Sequence, residues 1–437
     1  MRGLSRIKIQ EKTMLHNSDL YQRLKTAIDD MELIDCHTHL RWRQPSAETL
    51  TDIFSYHYIA TELVSACMDP ELISEDLPAK ERFLNAVPYI PRIQNTTTWW
   101  GFMQICKRLF GFDAEAIDSQ NAESLYNNAA EKLQQPDWYL DVLGRIKIRK
   151  VFLTNEFDED LRGYNKDIFI PALRVDGWIN QITDVAVVNR LKACTNSDIH
   201  SLASFKQATR QVAERFKEYD AVSMAISLPP DFTLAPVADA AAERVFQKIL
   251  AQKRVGDQEV SLLQANMFYH LVELCHQFNY TFQLMLGVDR EVYISQKRDG
   301  FSTKLEMVKT FLDVLNRYPD VTFDFTILNT VLAHELAVVS KLFPNCVISG
   351  HWWYTFYPSL IKRILRERLE IIPYVKLNGL FTDAYYVEWC IAKVLVYKQV
   401  LTEVLTELVL EGYITEQIVL DIAKGLLWEN PVRNFGI

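Results

Sequence analysis

Eight short β-branched or apolar runs punctuate this chain, each leading into a turn and most of them then into a stretch of helical periodicity. The runs are Leu33–His37, Lys150–Asn155, Phe169–Val175, Val222–Leu228, Thr281–Gly287, Val321–Leu328, Cys346–His351 and a last one within Ile371–Asp383. Between them lie amphipathic stretches such as Glu243–Lys253, Val260–Phe278, Lys304–Tyr318, Leu332–Phe343 and Tyr357–Glu370. Continuous apolar runs of this length suit strands buried on both faces, and strand–helix alternation implies parallel pairing through crossover helices. Eight strands close such a sheet on itself. The expected fold is therefore α/β, a (β/α)8 or TIM barrel, and a chain of 437 residues fits within its known size range.

One connection is out of proportion. Residues 41–148 contain no convincing strand but are rich in helical periodicity, over Ala47–Cys67, Ala79–Ala86 and Ala122–Leu133, with Trp99, Trp100 and Phe102 between. The expectation is a single barrel domain with a long helical insertion after strand one, standing over the barrel mouth. A formal net charge of −9 argues against nucleic acid or an anionic membrane as partner, since both require a concentrated basic surface. A small anionic substrate needs only a few local cations. No run of eighteen apolar residues occurs, and Trp389–Leu410 is interrupted by Lys393, Lys398 and Glu403, which suits an amphipathic helix. The first thirty residues are polar, without the apolar centre of a secretory leader, and the seven cysteines are scattered, so a reduced, cytoplasmic protein is expected.

In such barrels, chemistry sits at the C-terminal ends of the strands. The first run ends in His37-Thr38-His39, and on an extended chain residues at i and i+2 share a face. Read in the same way, the other strand ends offer Asn155, Arg174 with Asp176, Ser227, Met285, Asn329, His351 with Trp352 and Trp353, and finally Asp383. Two imidazoles and one carboxylate form a three-ligand metal site with open positions, the arrangement of a catalytic ion. If strand seven stays regular, one of Trp352 and Trp353 faces the outer helices and the other the mouth, where an indole can wall a sugar ring. Tyr56-His57-Tyr58 offers further hydroxyl and imidazole groups, with core packing an equal alternative.

Taken in order, Leu33–Leu40, Tyr56-His57-Tyr58, Pro171-Ala172-Leu173-Arg174-Val175-Asp176, Gly350-His351-Trp352-Trp353 and Thr382-Asp383 resemble the markers of uronate (glucuronate) isomerases of the amidohydrolase superfamily. The resemblance runs from about Asp30 to the C-terminus and is closest to a divergent, shorter branch. It implies aldose–ketose isomerisation of D-glucuronate to D-fructuronate and of D-galacturonate to D-tagaturonate. It further implies one divalent ion, usually zinc, on His37, His39 and Asp383, with Tyr58 and Trp352 or Trp353 around the substrate, and a homo-oligomer. Asp383 is then expected to act as base or proton shuttle, assisted by Tyr58 or His57. Two departures stand out. Met285 occupies a strand-five position where many relatives have histidine. Where typical members have Asp-x-Arg, the arginine gripping the substrate carboxylate, this chain has Asp383-Ala384-Tyr385. A phenol cannot replace a bidentate guanidinium, so either another cation serves, with Arg174, Arg290 and Lys376 as candidates and Tyr385 beside the substrate, or the substrate is not a uronate. Two alternatives stay open on the sequence: a mononuclear hydrolase or decarboxylase of the same superfamily, and a catalytically weak relative. Strands four, five and six lack the lysine and histidines of a two-metal hydrolase site.

Overall fold

The structure, a computed structural model, describes residues 15–293 and 298–437. All eight expected runs contain strands, with shorter ends than the sequence suggests. They are β1 (Leu33–Asp35), β2 (Ile148–Phe152), β3 (Phe169–Ile170) with β4 (Ala172–Arg174), β5 (Ser223–Leu228) and β6 (Thr281–Leu286). After the hairpin β7 (Val288–Tyr293) and β8 (Arg298–Phe301) come β9 (Phe323–Ile327), β10 (Cys346–Ser349) and β11 (Leu377–Asn378). The third run is cut in two at Pro171, which has no N–H to give to the ladder. Its halves still act as one stave: Leu153 N–H donates to Ile170 O at 2.9 Å, and Asn155 N–H to Ala172 O at 2.9 Å. The order is β1-β2-β3 and then β4-β5-β6-β9-β10-β11. Cys36 N–H donates to Leu380 O at 3.2 Å and brings the last stave back to the first. The hairpin β7–β8 was not expected: its strands are largely exposed and charged, without an apolar run to announce them.

Two compact units can be distinguished, and neither is a continuous stretch of chain. One comprises residues up to Leu33 together with Thr38–Arg149 and Thr382–Leu410; the other comprises Ile34–His37, Lys150–Phe381 and Glu411–Ile437. The second holds the barrel. Its interior carries a buried polar network. The Ser349 hydroxyl donates to Asp324 Oδ2 at 2.7 Å, Gln283 Nε2 to the same oxygen at 3.1 Å and to Cys36 O at 3.0 Å, and Asn378 Nδ2 to Ser349 Oγ at 3.1 Å. Burial lifts the Asp324 carboxyl from its ordinary 3.8 to about 7, against the pull of these donors and of Arg368.

The first unit is built on the helix Val387–Leu410, against which the helices Asp19–Asp30, Thr97–Leu109 and Trp138–Arg145 pack. This helix, expected to be amphipathic, is buried nearly all round. Its charges are inside because each meets a partner distant in sequence. Lys398 Nζ donates to Asp29 O and Met31 O, Glu403 lies 3.1 Å from His16, and Glu388 accepts from Trp138 Nε1 at 2.9 Å and from Ala47 N–H at 3.2 Å. No helix among the described residues is long and apolar enough to cross a membrane.

Candidate metal and substrate site

β1 ends at Asp35, short of the two histidines, but the extended backbone continues to be held in place: His39 N–H donates to Ala384 O at 2.8 Å. His39 Nε2 lies 3.3 Å from Asp383 Oδ1. His37, His39 and Asp383 each present one donor atom, and these atoms lie within 4.8 Å of one another, the one such group among the described residues. Asp383 takes a left-handed backbone with φ of 56°, a region that aspartate tolerates better than most side chains. Two contacts hold it there. The Tyr56 hydroxyl donates to Asp383 O at 2.9 Å, and Ala384 N–H donates to Thr382 Oγ1 at 3.3 Å.

Both imidazoles are backed by aromatic rings. Phe381 stacks on His37 with centroids 4.4 Å apart and planes 4° from parallel; Tyr385 stacks on His39 at 4.6 Å and 17°. Thr154 Oγ1 lies 3.4 Å from His37 Nε2. Tyr385 is 44% exposed, and its ring covers His39. Tyr56 is stacked on Trp389 at 4.9 Å, and the Tyr58 ring meets it edge-on at 5.0 Å. Lys393 Nζ lies 5.2 Å from the centre of the Tyr58 ring. Burial, reinforced by the Asp383 charge, pushes the Tyr56 phenol well above its ordinary value, so it is a proton donor throughout the working range. His57 opens the helix His57–Ser65, and its side chain lies outside the described residues.

The tryptophan pair departs from expectation. β10 ends at Ser349, Gly350 turns the chain with φ of +32°, and strand alternation no longer applies beyond that turn. Trp352 is buried among Met285, Val288, Leu328 and Phe381, and Trp353 packs against the same cluster. Neither indole is therefore assigned to the outer helices by a strand pleat. Trp352 lies 6.3 Å from Phe381, which in turn covers His37. Met285, at the end of β6, is part of this apolar wall and not a ligand.

Of the three candidate cations, Arg174 stands at a C-terminal strand end and Arg290 reaches towards one. Arg174 closes β4 with Asp176 at 3.2 Å and Glu156 at 3.3 Å. Arg290, in β7, pairs with Asp299 at 2.5 Å, and its Nη2 lies 3.3 Å from Ser227 Oγ at the end of β5. Asn180 joins the two: its Nδ2 donates to Ser227 O at 2.7 Å and lies 3.4 Å from Asp176 Oδ1. Lys376 is at the wrong end. It precedes β11, and its half-buried ammonium donates to the carbonyls of Ser340 and Phe343 at the close of the helix Ala333–Leu342. That is a capping role, which sequence could not separate from a substrate role. His351 is buried and kept neutral by desolvation and by the Arg368 guanidinium. His334 is exposed and paired with Glu367. Sequence reading singles out Tyr58 and passes over Tyr56, Thr154, Phe381 and Asn180. Only Tyr56 carries a signal, its place in Tyr56-His57-Tyr58.

Two imidazole nitrogens and a carboxylate oxygen gathered this closely suit a divalent ion of borderline softness, leaving positions open for substrate. The class this defines is a (β/α)8 barrel with a His-x-His pair after its first strand and a carboxylate after its last, gathered so that they could hold one metal ion. The glucuronate isomerase family profile matches residues 7–435, and the chain belongs to that family of aldose–ketose isomerases. A uronate isomerase from Thermotoga neapolitana is 22% identical over 440 residues, covering 94% of this chain and 96% of its own. Among solved structures, a uronate isomerase from Thermotoga maritima superposes with a TM-score of 0.89 at 19% identity, covering 97% of this chain and 98% of its own. A glucuronate isomerase from Caulobacter crescentus gives 0.86 at 18% identity, covering 95% and 94%.

Proposed function

We propose that this chain interconverts D-glucuronate with D-fructuronate and D-galacturonate with D-tagaturonate, with His37, His39 and Asp383 holding one divalent ion, zinc by preference. The observation that carries this reading is the three-donor group at the ends of the first and last staves, in a chain that the family profile spans almost completely. In this reading the chain is one barrel domain with residues 41–148 as its helical insertion, and a cytoplasmic homo-oligomer.

When bound, the ion supplies positive charge that polarises the sugar carbonyl. The remaining work falls to side chains. A base removes the proton at C2 of the open-chain aldose and returns it at C1, while the hydroxyl proton on O2 passes to O1; no atom is gained or lost. Asp383 is assigned as base or shuttle, because its carboxylate faces the site beside His39 and its backbone is fixed by Tyr56. Tyr58 or His57 assists at the second oxygen. Trp352 and Trp353 wall the sugar. Arg174 and Arg290 are assigned to the substrate carboxylate in place of the missing arginine, supported by the polar chain through Asn180 and Ser227 that links their ends of the barrel. Tyr385 orients His39 and lies beside the substrate. Incubation of purified protein with each uronate, with chromatographic detection of the ketose, tests the reading. Formation of neither ketose by metal-loaded protein rejects it.

A further inference from the structure

Within the first unit lies a cavity of about 460 Å³ whose lining is one-sided in charge. Lys25, Arg108, Arg145 and Lys398 face it with a single acid, Asp29, and apolar side chains of the helix Val387–Leu410 complete the wall. In a chain of net charge −9 this is a local reversal of sign. Like charges around one cavity repel unless something offsets them. The protein's own acids do so only in part. Asp29 pairs with Lys25, and Asp141 lies 2.8 Å from Arg145. Arg145 also donates through Nη1 to the Arg108 carbonyl at 2.9 Å, which fixes the spacing of the two arginines. The Arg108 guanidinium itself has no protein partner among the described residues.

Lys398 forms the floor. Its ammonium donates to Asp29 O at 3.0 Å and Met31 O at 2.8 Å, using two of its three N–H groups. Burial pushes it down to about 8, and Lys25 and Lys147 push the same way while Asp29 and Asp30 oppose them. An incoming anion would relieve that mutual repulsion. Four cations set against Asp29 and Asp141 leave an excess of two positive charges. A phosphomonoester carries about −1.5 to −2 near neutral pH, and arginine with lysine is the usual pair for holding it. The volume falls inside the ~300–1,000 Å³ range of small-molecule sites, and the apolar wall suits the carbon part of an ester. We infer that this cavity binds a small phosphomonoester, with Arg108 and Lys25 at the rim and Lys398 beneath. The inference is independent of the isomerase reading.

Isothermal titration of the full chain with glycerol 3-phosphate tests it, beside inorganic phosphate and sodium chloride at matched ionic strength. The expected result is saturable binding of one ester per chain, tighter than inorganic phosphate and absent with chloride. Lys25→Met together with Arg108→Met should weaken it about tenfold or more, and Arg174→Met should leave it unchanged. Lys25 and Arg108 are accessible to solvent, so the unliganded double variant should melt with the wild type. Absence of saturable binding, equal binding by the double variant, or loss on Arg174→Met would each overturn the site. Inorganic phosphate binding as tightly as the ester would overturn the ligand class.

Discussion

Asp383 must serve as ligand and as proton carrier while holding a backbone conformation that costs energy. Asp383→Asn keeps the shape and removes the charge and the basicity. Turnover should fall by about three orders of magnitude, with circular dichroism unchanged; near-normal turnover would remove Asp383 from the reaction. Tyr56 acts on the same residue from behind, through a hydroxyl bond to its carbonyl. Tyr56→Phe should cost about 1 kcal/mol of stability and loosen metal binding, read by competition with a chromophoric chelator. Unchanged metal affinity would mean that Asp383 is held without it. The His-x-His pair is legible because three adjacent positions and a preceding apolar run suffice to see it. Tyr56 is not, because its partner lies 327 positions away, and a phenol on a backbone carbonyl leaves no pattern in sequence.

Elements are readable where burial makes them uniform and obscure where it does not. Parallel strands covered on both faces announce themselves as apolar runs, and all eight staves are located this way. The hairpin β7–β8 is exposed and mixed in polarity, and nothing marks it. The helix Val387–Leu410 is visible, but its charges suggest solvent; Lys398, Glu403 and Glu388 are instead satisfied by groups from other segments. The turn after β10 shows how little room one element leaves another. A Cβ added at Gly350 would stand 2.5 Å from Phe381 Cβ and 3.0 Å from its backbone nitrogen, at a positive φ. Gly350→Ala should therefore destabilise the protein by about 2 kcal/mol or more, and by displacing Phe381 it should disturb the ring that covers His37. Thermal denaturation with metal titration checks both effects; a melting point equal to the wild type would show that the turn can relax.

At the scale of the whole molecule, pH and metal act on stability through different groups. Burial raises Asp324 from 3.8 to about 7, so the folded state holds its proton more tightly than the unfolded chain does. Its contribution is fully present below about pH 4 and is lost as pH rises to about 7. The stability difference between wild type and Asp324→Asn should move against the wild type across that window, as tracked by urea unfolding at several pH values; a flat difference would mean that Asp324 is ionised in the fold. Metal removal by a chelator should abolish isomerisation and lower the melting temperature, since a ligand bound only by the native state stabilises it, and stoichiometric zinc should restore both. The distance in sequence between the ligands has one more consequence. His37 and His39 are neighbours in the chain, but most of the eight staves are synthesised between them and their carboxylate partner, Asp383. A nascent chain therefore has no complete binding set until Asp383 itself has been made, so an ion that needs all three ligands cannot guide the staves that precede Asp383 into place.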